Sequence, residues 1–322
     1  METLKIAVVG VGGMGTVHIS NYAHIPYCKV TAVCDTSKAG ADKAAEIGAA
    51  FFYDLGSMLE QDDVDIVDIC TPSFLHKKHV MAALAAGKHV ICEKPAALNK
   101  ADAAEMCAFA RKQNVRLFIA HVLQYSPETL VLRKLVESGE YGKVLDALFL
   151  RLSACPRWSE GGWLLDKSKS GLLPFDLHIH DLDLIVSLFG VPEAVTYTSC
   201  GNESAEYEEH YRFLYRYSDI NVVAEAAWYN ADIPFTATWR VYFEKAVVIN
   251  DGTSVTAYSF DHPPRVFDTE EKIKIPTGIN IPPTGIFLTE LTDFIDKIRE
   301  GGSGCERENE ILTVLGILEG IK

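Results

Sequence analysis

Short apolar runs alternate with helical patterns along the first third of the chain. Strands are predicted at 4–10, 30–35, 51–53, 66–70, 89–92 and 116–121. Helices are predicted between them, at 13–23, 38–47, 75–86 and 100–113. Short runs rich in β-branched residues, each followed by a helix, are typical of a parallel sheet that is covered on both faces.

The pattern changes after residue 122. A helix is predicted at 128–138, a long strand at 144–154, and a helix from Asp176 to Leu188. Four segments then alternate polar and apolar residues, at 211–217, 222–227, 236–243 and 246–250. Such alternation predicts an antiparallel sheet with one buried face, and helices follow at 285–300 and 311–321. We therefore predict a doubly wound α/β domain at residues 1–122 and an α+β domain at residues 123–322.

The bulk composition agrees with two globular domains. The chain has 322 residues, of which 48% are hydrophobic and 23% charged, so a sizeable core can form. The formal net charge of −14 repels phosphate backbones and anionic lipid. Nucleic acid and membrane surfaces are therefore disfavoured as partners.

The cysteines and the start of the chain bear on location. None of the eight cysteines forms a CxxC pair, which disfavours a zinc ribbon or a thioredoxin-type site. Several lie in apolar runs, as expected of buried thiols in a reducing compartment. The segment from Met1 to Lys5 leads directly into a strand without a signal-peptide pattern, and no apolar stretch approaches the roughly 20 residues that span a bilayer. We expect a cytoplasmic protein.

A glycine motif marks the first strand-to-helix turn. Gly10, Gly12 and Gly15 fit GxGxxG, with Gly13 and Met14 inside the loop. In this context the glycines allow a tight turn, close approach of a pyrophosphate and close helix–strand packing. The helix N-terminus would offer free N–H groups to the phosphates.

Asp35 ends the second strand, 20 residues after Gly15. A carboxylate there accepts hydrogen bonds from ribose hydroxyls and repels a 2′-phosphate, so NAD is favoured over NADP. Lys38 is near enough to leave dual use open. The structural alternative is a glycine turn that ends a strand, with Asp35 as a helix cap.

Glu93-Lys94-Pro95 follows the strand at 89–92. Ligands of open α/β sheets bind beyond the carboxyl ends of the strands, so Lys94 is a candidate to bind a substrate hydroxyl or carbonyl. Pro95 favours an extended Lys94. The alternative is a solvated surface lysine beside Glu93.

Asp176 and His180 lie four residues apart in a predicted helix and would share one face. A carboxylate beside an imidazole suits proton transfer near neutral pH. The alternatives are a capped helix start with buried histidines, or, if the segment is a strand, a metal site at His178 and His180. Arg157, Trp158 and Trp163 lie in the preceding segment, where aromatic rings can stack on sugars and Arg can bind an anion. The alternative for them is a surface loop anchored by tryptophan.

These motifs together resemble the glucose-fructose oxidoreductase, inositol dehydrogenase and MocA family (Gfo/Idh/MocA). The resemblance covers almost the whole chain. It rests on the glycine loop, Asp35, Cys70-Thr71-Pro72 with His76, the stretch GKHVICEKP from Gly87 to Pro95, and Ser170-Gly171 with Asp176-x-x-x-His180-x-x-Asp183. Leu172, Pro174 and Leu123-Gln124-Tyr125 depart from the family pattern and bear on the substrate.

The resemblance implies a Rossmann domain and a second domain with a large, open, mainly antiparallel sheet for substrate binding and self-association. It implies an NAD(P)-dependent dehydrogenase that acts on a CH–OH group of a sugar, inositol or related polyol. Lys94 and His180 would hold the reacting oxygen, with His180 as general base or acid. Asp176 would orient this pair or bind a neighbouring hydroxyl. The cofactor would meet Thr71, Pro72 and His76 at the nicotinamide and Glu93 near its ribose. Residues expected to reach the substrate also include Gln124, Arg157 and Trp163.

Other functions stay open at this level. Some members of the family are non-catalytic sensors of dinucleotide and sugar, and others are glycosidases that retain NAD through transient oxidation. Metal-dependent hydrolysis at His178 and His180 is a third alternative, although we expect no metal site. A homodimer or homotetramer is expected from the resemblance.

Overall fold

The computed structural model of the chain describes residues 3–60, 63–203 and 205–321. Met1 and Glu2, which entered the prediction of location, lie outside these residues. The chain forms two compact units: Met1–Val122 with Glu271–Leu312, and Leu123–Glu270 with Thr313–Lys322. The predicted second domain, 123–322, therefore differs from the second unit, because residues 271–312 belong to the first.

The first unit is built on a parallel sheet. Over the described residues its strands are β1 (Leu4–Val9), β2 (Cys28–Cys34), β3 (Ala50–Phe52), β4 (Ile66–Ile69), β5 (His89–Glu93), β6 (Arg116–Ala120) and β15 (Gly304–Cys305). They pair in the order β15-β6-β5-β4-β1-β2-β3. The order reverses between β1 and β4, which is the switch point where such sheets bind ligands. The predicted doubly wound parallel sheet is confirmed.

Helices flank this sheet. They are α1 (Gly13–Tyr22), α2 (Lys38–Ile47), α3 (Leu55–Leu59), α4 (His76–Ala85), α5 (Lys100–Gln113) and α9 (Ile286–Glu300). Local signals set their ends: the Ser37 hydroxyl accepts the Gly40 N–H at the start of α2, and Asn99 accepts the Asp102 N–H at the start of α5. The short helix α3 was not predicted.

Residues 271–312 join the first unit through nonlocal contacts. Helix α9 contacts α1 and β6, and the Phe294 ring stacks on Phe118 with centroids 4.6 Å apart. Strand β15 pairs with β6, with Gly304 opposite Arg116. The Arg116 Nε also donates to the Gly301 carbonyl at 3.0 Å. These contacts give the returning segment its place at the edge of the parallel sheet.

The second unit contains a mainly antiparallel sheet. Within the described ranges its strands are β7 (Val144–Ala154), β8 (Ala194–Cys200), β9 (His210–Arg216), β10 (Asn221–Tyr229), β11 (Thr236–Phe243), β12 (Val247–Asn250), β13 (Val255–Tyr258) and β14 (Arg265–Phe267). They pair in the order β14-β13-β12-β11-β7-β10-β9-β8, and only β7 and β10 run parallel among these strands. The predicted α+β class is confirmed.

One face of this sheet is covered by helix. The unit contains α6 (Pro127–Ser138), α7 (Lys167–Ser170) and α8 (Ile179–Phe189), while α10 (Glu308–Glu319) includes the point at which the chain passes from the first unit to the second. Helix α8 contacts β7 and β10, and β9 contributes Tyr211, Phe213 and Tyr215 to the core. In the part of the chain that the structure describes, no helix is both long and apolar enough to cross a bilayer.

Candidate functional site

The glycine turn between β1 and α1 leaves no room for side chains at two positions. Gly10 has a φ of +86°, and a Cβ there would lie 2.9 Å from the Cys70 carbonyl oxygen. A Cβ on Gly15 would lie 2.0 Å from the Gly10 carbonyl oxygen. Gly12 faces open space. Helix α1 begins at Gly13, followed by Met14, and no side chain caps its N-terminus. The free N–H groups of this turn therefore fit an anionic phosphate.

Two alanine substitutions separate the structural role of this turn from its binding role. Gly15→Ala should lower the free energy of unfolding because its Cβ overlaps the Gly10 carbonyl. Gly12→Ala should leave thermal unfolding unchanged but weaken NADH binding, because its methyl group occupies the approach to the turn. Thermal melting and NADH titration of both variants check this. Equal melting temperatures for the two variants would contradict the assigned packing.

Asp35 follows β2 and faces the glycine turn. Its Oδ2 accepts the Val11 N–H at 2.6 Å, and its Oδ1 accepts the Ser37 N–H at 2.7 Å. The carboxylate is half-buried, so it joins the turn to the start of α2 while keeping a solvent-facing side. Lys38 Nζ lies 2.7 Å from the Asp42 carboxylate rather than standing unpaired.

His76 joins the loops that follow β4 and β5. Its ring nitrogens lie 2.7 Å from the Pro95 carbonyl oxygen and 2.8 Å from the Thr71 carbonyl oxygen. Burial lowers the pKa of His76, although both carbonyls favour the charged ring. Thr71 Oγ1 lies 3.2 Å from His79 Nδ1, and Pro72 leads into a 3-10 turn. The His76 ring thus connects the two loops.

Lys94 is the accessible residue of a buried segment. Of residues 90–97, all of them described, only Lys94 is not buried. Its backbone N–H donates to Glu93 Oε2 at 3.1 Å, and the Lys94–Pro95 peptide is cis. The carboxylate of Glu93 is itself buried. The buried neighbours and the Glu93 contact therefore fix the main chain of Lys94, while its side chain is partly exposed.

In the second unit, Asp176 and His180 are likewise the less buried residues of a buried segment. Of residues 172–186, all described, only Asp176 and His180 are not buried. The segment is helical as predicted, but Pro174–His178 forms a π-helical turn before α8 begins at Ile179. Pro174 lacks the N–H that would continue an α-helical ladder, and π-turns of this kind are frequent at functional sites.

His178 belongs to the core. Its ring stacks on Phe213 with centroids 3.9 Å apart, and its Nε2 lies 2.5 Å from the Tyr215 hydroxyl. Burial lowers the pKa of His178 to about 3, so the ring is neutral. The metal alternative required His178 and His180 to share a strand face, and the helix overturns that premise.

The residue at the family's second-glycine position adopts a glycine-like conformation. Leu172 has a φ of +63° and is buried. A left-handed non-glycine residue costs on the order of 1–3 kcal/mol, and burying a leucine side chain returns about as much. Leu172 therefore adopts a conformation that glycine favours, and its buried side chain offsets the strain.

Gln124 is held by protein groups at both ends of its amide. Its Nε2 donates to Asp183 Oδ2, and its Oε1 accepts from Arg133 Nη2 and from the Ser187 hydroxyl. Asp183 is buried. The Gln124 amide is thus tied to α6 and α8, which favours a positioning role over the predicted contact with substrate.

The tryptophan-containing segment is less enclosed. Arg157 is exposed and its Nη2 lies 2.5 Å from Asn230 Oδ1. Trp158 is 76% exposed, whereas Trp163 is half-buried within a 3-10 segment, Glu160–Leu165. The exposed ring of Trp158 is therefore available for stacking on a ligand.

Two buried charge clusters escaped the sequence analysis. Arg151 on β7 makes a bidentate pair with Asp181 on α8, at 3.0 and 2.8 Å. His18 on α1 lies 2.7 Å from Asp68 Oδ2 on β4. The one signal for the second cluster was a carboxylate within the apolar strand IVDIC. Removing one partner of such a pair costs about 3–5 kcal/mol, so both clusters fix neighbouring elements firmly.

Two family models match the chain. Residues 4–121 match the oxidoreductase family with an NAD-binding Rossmann fold, and residues 129–249 match the GFO/IDH/MocA C-terminal domain. Together they cover most of the chain.

Curated relatives agree with these matches. The D-glucoside 3-dehydrogenase of Escherichia coli K12 is 34% identical over 195 residues, which are 59% of this chain and 55% of the relative. The 2,7-anhydro-N-acetylneuraminate hydratase of Mediterraneibacter gnavus is 32% identical over 203 residues, covering 62% of this chain and 53% of the relative. The chain spans about half the length of these relatives.

Solved structures extend the likeness to the whole fold. A levoglucosan dehydrogenase, solved in complex with NADH and levoglucosan, has a TM-score of 0.85 at 22% identity, over 99% of this chain and 96% of that one. At this identity the likeness concerns the fold. With both family models matched in order along it, the chain belongs to the Gfo/Idh/MocA oxidoreductase family, with an NAD-binding Rossmann domain at its N-terminus.

Proposed function

We propose that this chain is an NAD-dependent oxidoreductase that transfers hydride between the nicotinamide and a secondary hydroxyl of a sugar, inositol or related polyol. One observation carries the proposal. In each of two buried segments, 90–97 and 172–186, the only residues not buried are those with acid–base or hydrogen-bonding chemistry: Lys94, Asp176 and His180. Relatives named as dehydrogenases of glucoside and levoglucosan support the substrate class.

The proposed roles follow from the side-chain chemistry. Lys94 Nζ donates to the reacting oxygen, and a ring nitrogen of His180 takes the hydroxyl proton during oxidation. Asp176 orients this pair or binds a neighbouring hydroxyl. The glycine turn and Asp35 hold the pyrophosphate and adenosine ribose, and Thr71, Pro72, His76 and Glu93 shape the nicotinamide end. When bound, the nicotinamide supplies the hydride acceptor. Arg157 and Trp163 are proposed to contact the substrate.

The preference for NAD should depend on Asp35. Asp35→Ser removes the charge that repels a 2′-phosphate, so affinity for NADH should fall and discrimination against NADPH should relax. Titrations of both cofactors check this. Glu46→Ser, which removes a charge from α2 away from the end of β2, is the matched control. An unchanged preference in Asp35→Ser would contradict the role assigned to Asp35.

A steady-state screen tests the function. The purified protein is offered NAD or NADP with inositols, aldoses, sugar acids and amino-sugars, and NADH formation is followed by absorbance. We expect turnover with one class of polyol or sugar and NAD as the better cofactor. No turnover with any class, together with tight NADH binding, would contradict the dehydrogenase proposal.

One relative favours a second candidate. The hydratase from Mediterraneibacter gnavus carries a name that implies no net oxidation. An enzyme of that kind, or a glycosidase that retains NAD, would transform its substrate without releasing NADH. Product analysis in the absence of added cofactor distinguishes it from a dehydrogenase, and from a sensor that binds without turnover.

We propose that the exposed face of the second unit's sheet mediates self-association. Register places Leu214, Tyr242, Tyr258 and Val266 on one face, and their exposed fractions are 46%, 44%, 48% and 67%. Several exposed apolar side chains on one face are typical of an interface. A solution mass of a dimer or tetramer is expected, and a monomer at working concentrations would contradict it.

The proposed location is the cytoplasm. All eight cysteines lie in described parts of the chain and none forms a disulfide. Free thiols in this number suit a reducing compartment. A small-molecule substrate, rather than nucleic acid or a membrane, is the proposed partner.

A further inference from the structure

His18 lies between two carboxylates at the centre of the first unit. Its Nδ1 is 2.7 Å from Asp68 Oδ2, and its Nε2 is 3.2 Å from Glu93 Oε1. The His18 and Asp68 side chains are wholly buried, and Glu93 is 8% exposed. The three side chains come from α1, β4 and β5, so the cluster joins three elements of the sheet layer.

This geometry fixes the charge of the ring. A neutral imidazole donates from one nitrogen and offers a lone pair at the other, and here each nitrogen faces a carboxylate oxygen. A lone pair aimed at a buried carboxylate would be repelled in a low-dielectric interior. The protonated ring donates from Nδ1 to Asp68 and offsets two negative charges. Its Nε2 forms an ion pair with Glu93 Oε1 at 3.2 Å, without hydrogen-bond geometry. Burial alone would lower the pKa of His18, but Asp68 and Cys70 together outweigh it and raise that pKa well above its ordinary value.

Asp68 is anchored by further groups. The Tyr22 hydroxyl donates to Asp68 Oδ2 at 2.9 Å, and the Cys70 thiol lies 3.6 Å from Asp68 Oδ1 and 3.5 Å from His18 Nδ1. The Phe287 ring of α9 lies beside His18, tilted by 52° with centroids 6.4 Å apart. The Asp68 end of the cluster is therefore rigid, and the His18 ring has little freedom to turn.

Glu93 carries the cluster toward the proposed catalytic lysine. One oxygen of Glu93 contacts His18, and the other accepts the backbone N–H of Lys94. Burial would raise the pKa of Glu93, but the His18 contact and the charge of Lys94 lower it, so the carboxylate is ionised. The main chain of Lys94 is thus held by a carboxylate that His18 holds in turn.

We propose that His18 is a positioning residue that acts as a buried imidazolium, through Glu93, on the placement of Lys94. This inference rests on the proposed function only for the part played by Lys94. The charge of the ring and its contact with Glu93 stand independently of any substrate.

The alternative use of these groups is a metal site. His18, Asp68 and Cys70 are the one set in the described ranges whose ligand atoms lie near enough to hold an ion. Burial raises the pKa of the Cys70 thiol to about 12, so without a metal ion the thiol keeps its proton. Elemental analysis of the purified protein gives the outcome directly, and a stoichiometric metal would overturn the positioning role.

The charge of His18 is measured by nitrogen NMR of protein labelled at histidine. His18→Gln identifies the signals by their loss, and Tyr22→Phe identifies them by their shift if the glutamine variant does not fold. We expect both ring nitrogens to be protonated through neutral pH and above, and Asp68→Asn to make the ring lose its proton more easily. A ring that is neutral at neutral pH in the unmodified protein would overturn the proposal whatever the substrate.

The effect on Lys94 is measured by kinetics. In His18→Gln the side chain is uncharged and both its N–H donors are on one nitrogen, so it cannot stand between two carboxylates as the ring does. The kcat should therefore fall on the order of 10- to 100-fold through misplacement of Lys94. His24→Gln removes an exposed histidine just after α1 and outside the cluster, and should keep kcat. In a Lys94→Met background His18→Gln should have little further effect, because both act through one group. An equal loss of kcat on His18→Gln with and without Lys94→Met would overturn the positioning role. The NMR result does not depend on finding a substrate, so it tests the charge of His18 separately from the proposed function.

Discussion

Replacing His180 by alanine is expected to lower turnover roughly 100- to 10,000-fold, the range for loss of a general base. Structure singles out this residue from its neighbours. His180 is not buried, whereas His178, two residues earlier, is enclosed by Phe213 and Tyr215 and held neutral. Single-turnover and steady-state rates with the preferred substrate give the measurement, with NADH affinity expected to stay unchanged.

The matched control for His180 is an exposed histidine of the same unit. His262→Ala removes an imidazole from a surface segment outside both motifs and should leave turnover unchanged. Turnover of His180→Ala equal to that of the unmodified protein would remove His180 from the mechanism. A loss confined to thermal stability would assign it a structural role instead.

Lys94→Met should lower kcat on the order of 100- to 1,000-fold, the typical loss for a charged or oriented donor to the reacting oxygen. Methionine keeps a long apolar stem and removes the ammonium group, so packing within the buried segment 90–97 is preserved. The backbone N–H of Lys94 still donates to Glu93 in this variant. Its rate is measured at saturating NAD and substrate, beside its melting temperature.

Lys112→Met, at the end of α5, removes an exposed lysine from the same unit and should change neither rate nor stability. If Lys94→Met raised KM alone and kept kcat, Lys94 would contribute uniform binding and no stabilisation of the transition state. That outcome would leave His180 as the only group at the reacting oxygen.

Local signals predicted much of the fold. The bounds of α2 and α5 agree with the predictions 38–47 and 100–113 because capping residues stand at their ends: Ser37 and Gly48, and Asn99 and Asn114. Strands β7 and β11 agree with 144–154 and 236–243, and burial alternates along the middle of β7 and the second half of β11. The short elements α3 and β15 have too few residues for a period to show.

The return of residues 271–312 to the first unit could not be predicted from local patterns. It depends on Phe294 stacking on Phe118 and on Gly304 pairing with Arg116, contacts between segments more than a hundred residues apart in the sequence. Helix α9 has an ordinary amphipathic pattern. Such a pattern predicts that one face of the helix is buried, but it does not indicate which element covers that face.

The candidate site was predictable where a motif implies one conformation. The glycine turn and Asp35 are such cases, since the conformation excludes other residues at Gly15 and directs the carboxylate to Val11. Gln124 was expected to reach substrate, but its amide is tied to Asp183 and Arg133. His18 was missed because its partners, Asp68 and Glu93, are distant in sequence and meet only when β4 and β5 lie side by side.

The most direct test of hydride transfer follows deuterium from the substrate to the nicotinamide, instead of the absorbance of NADH. The protein is incubated with NAD and a mixture of perdeuterated sugars and polyols, and the nicotinamide is analysed by mass spectrometry. We expect deuterium in released NADH, at a rate that falls in His180→Ala and in Lys94→Met. A nicotinamide that stays free of deuterium, although NAD is bound and the mixture contains every class of the panel, would contradict it.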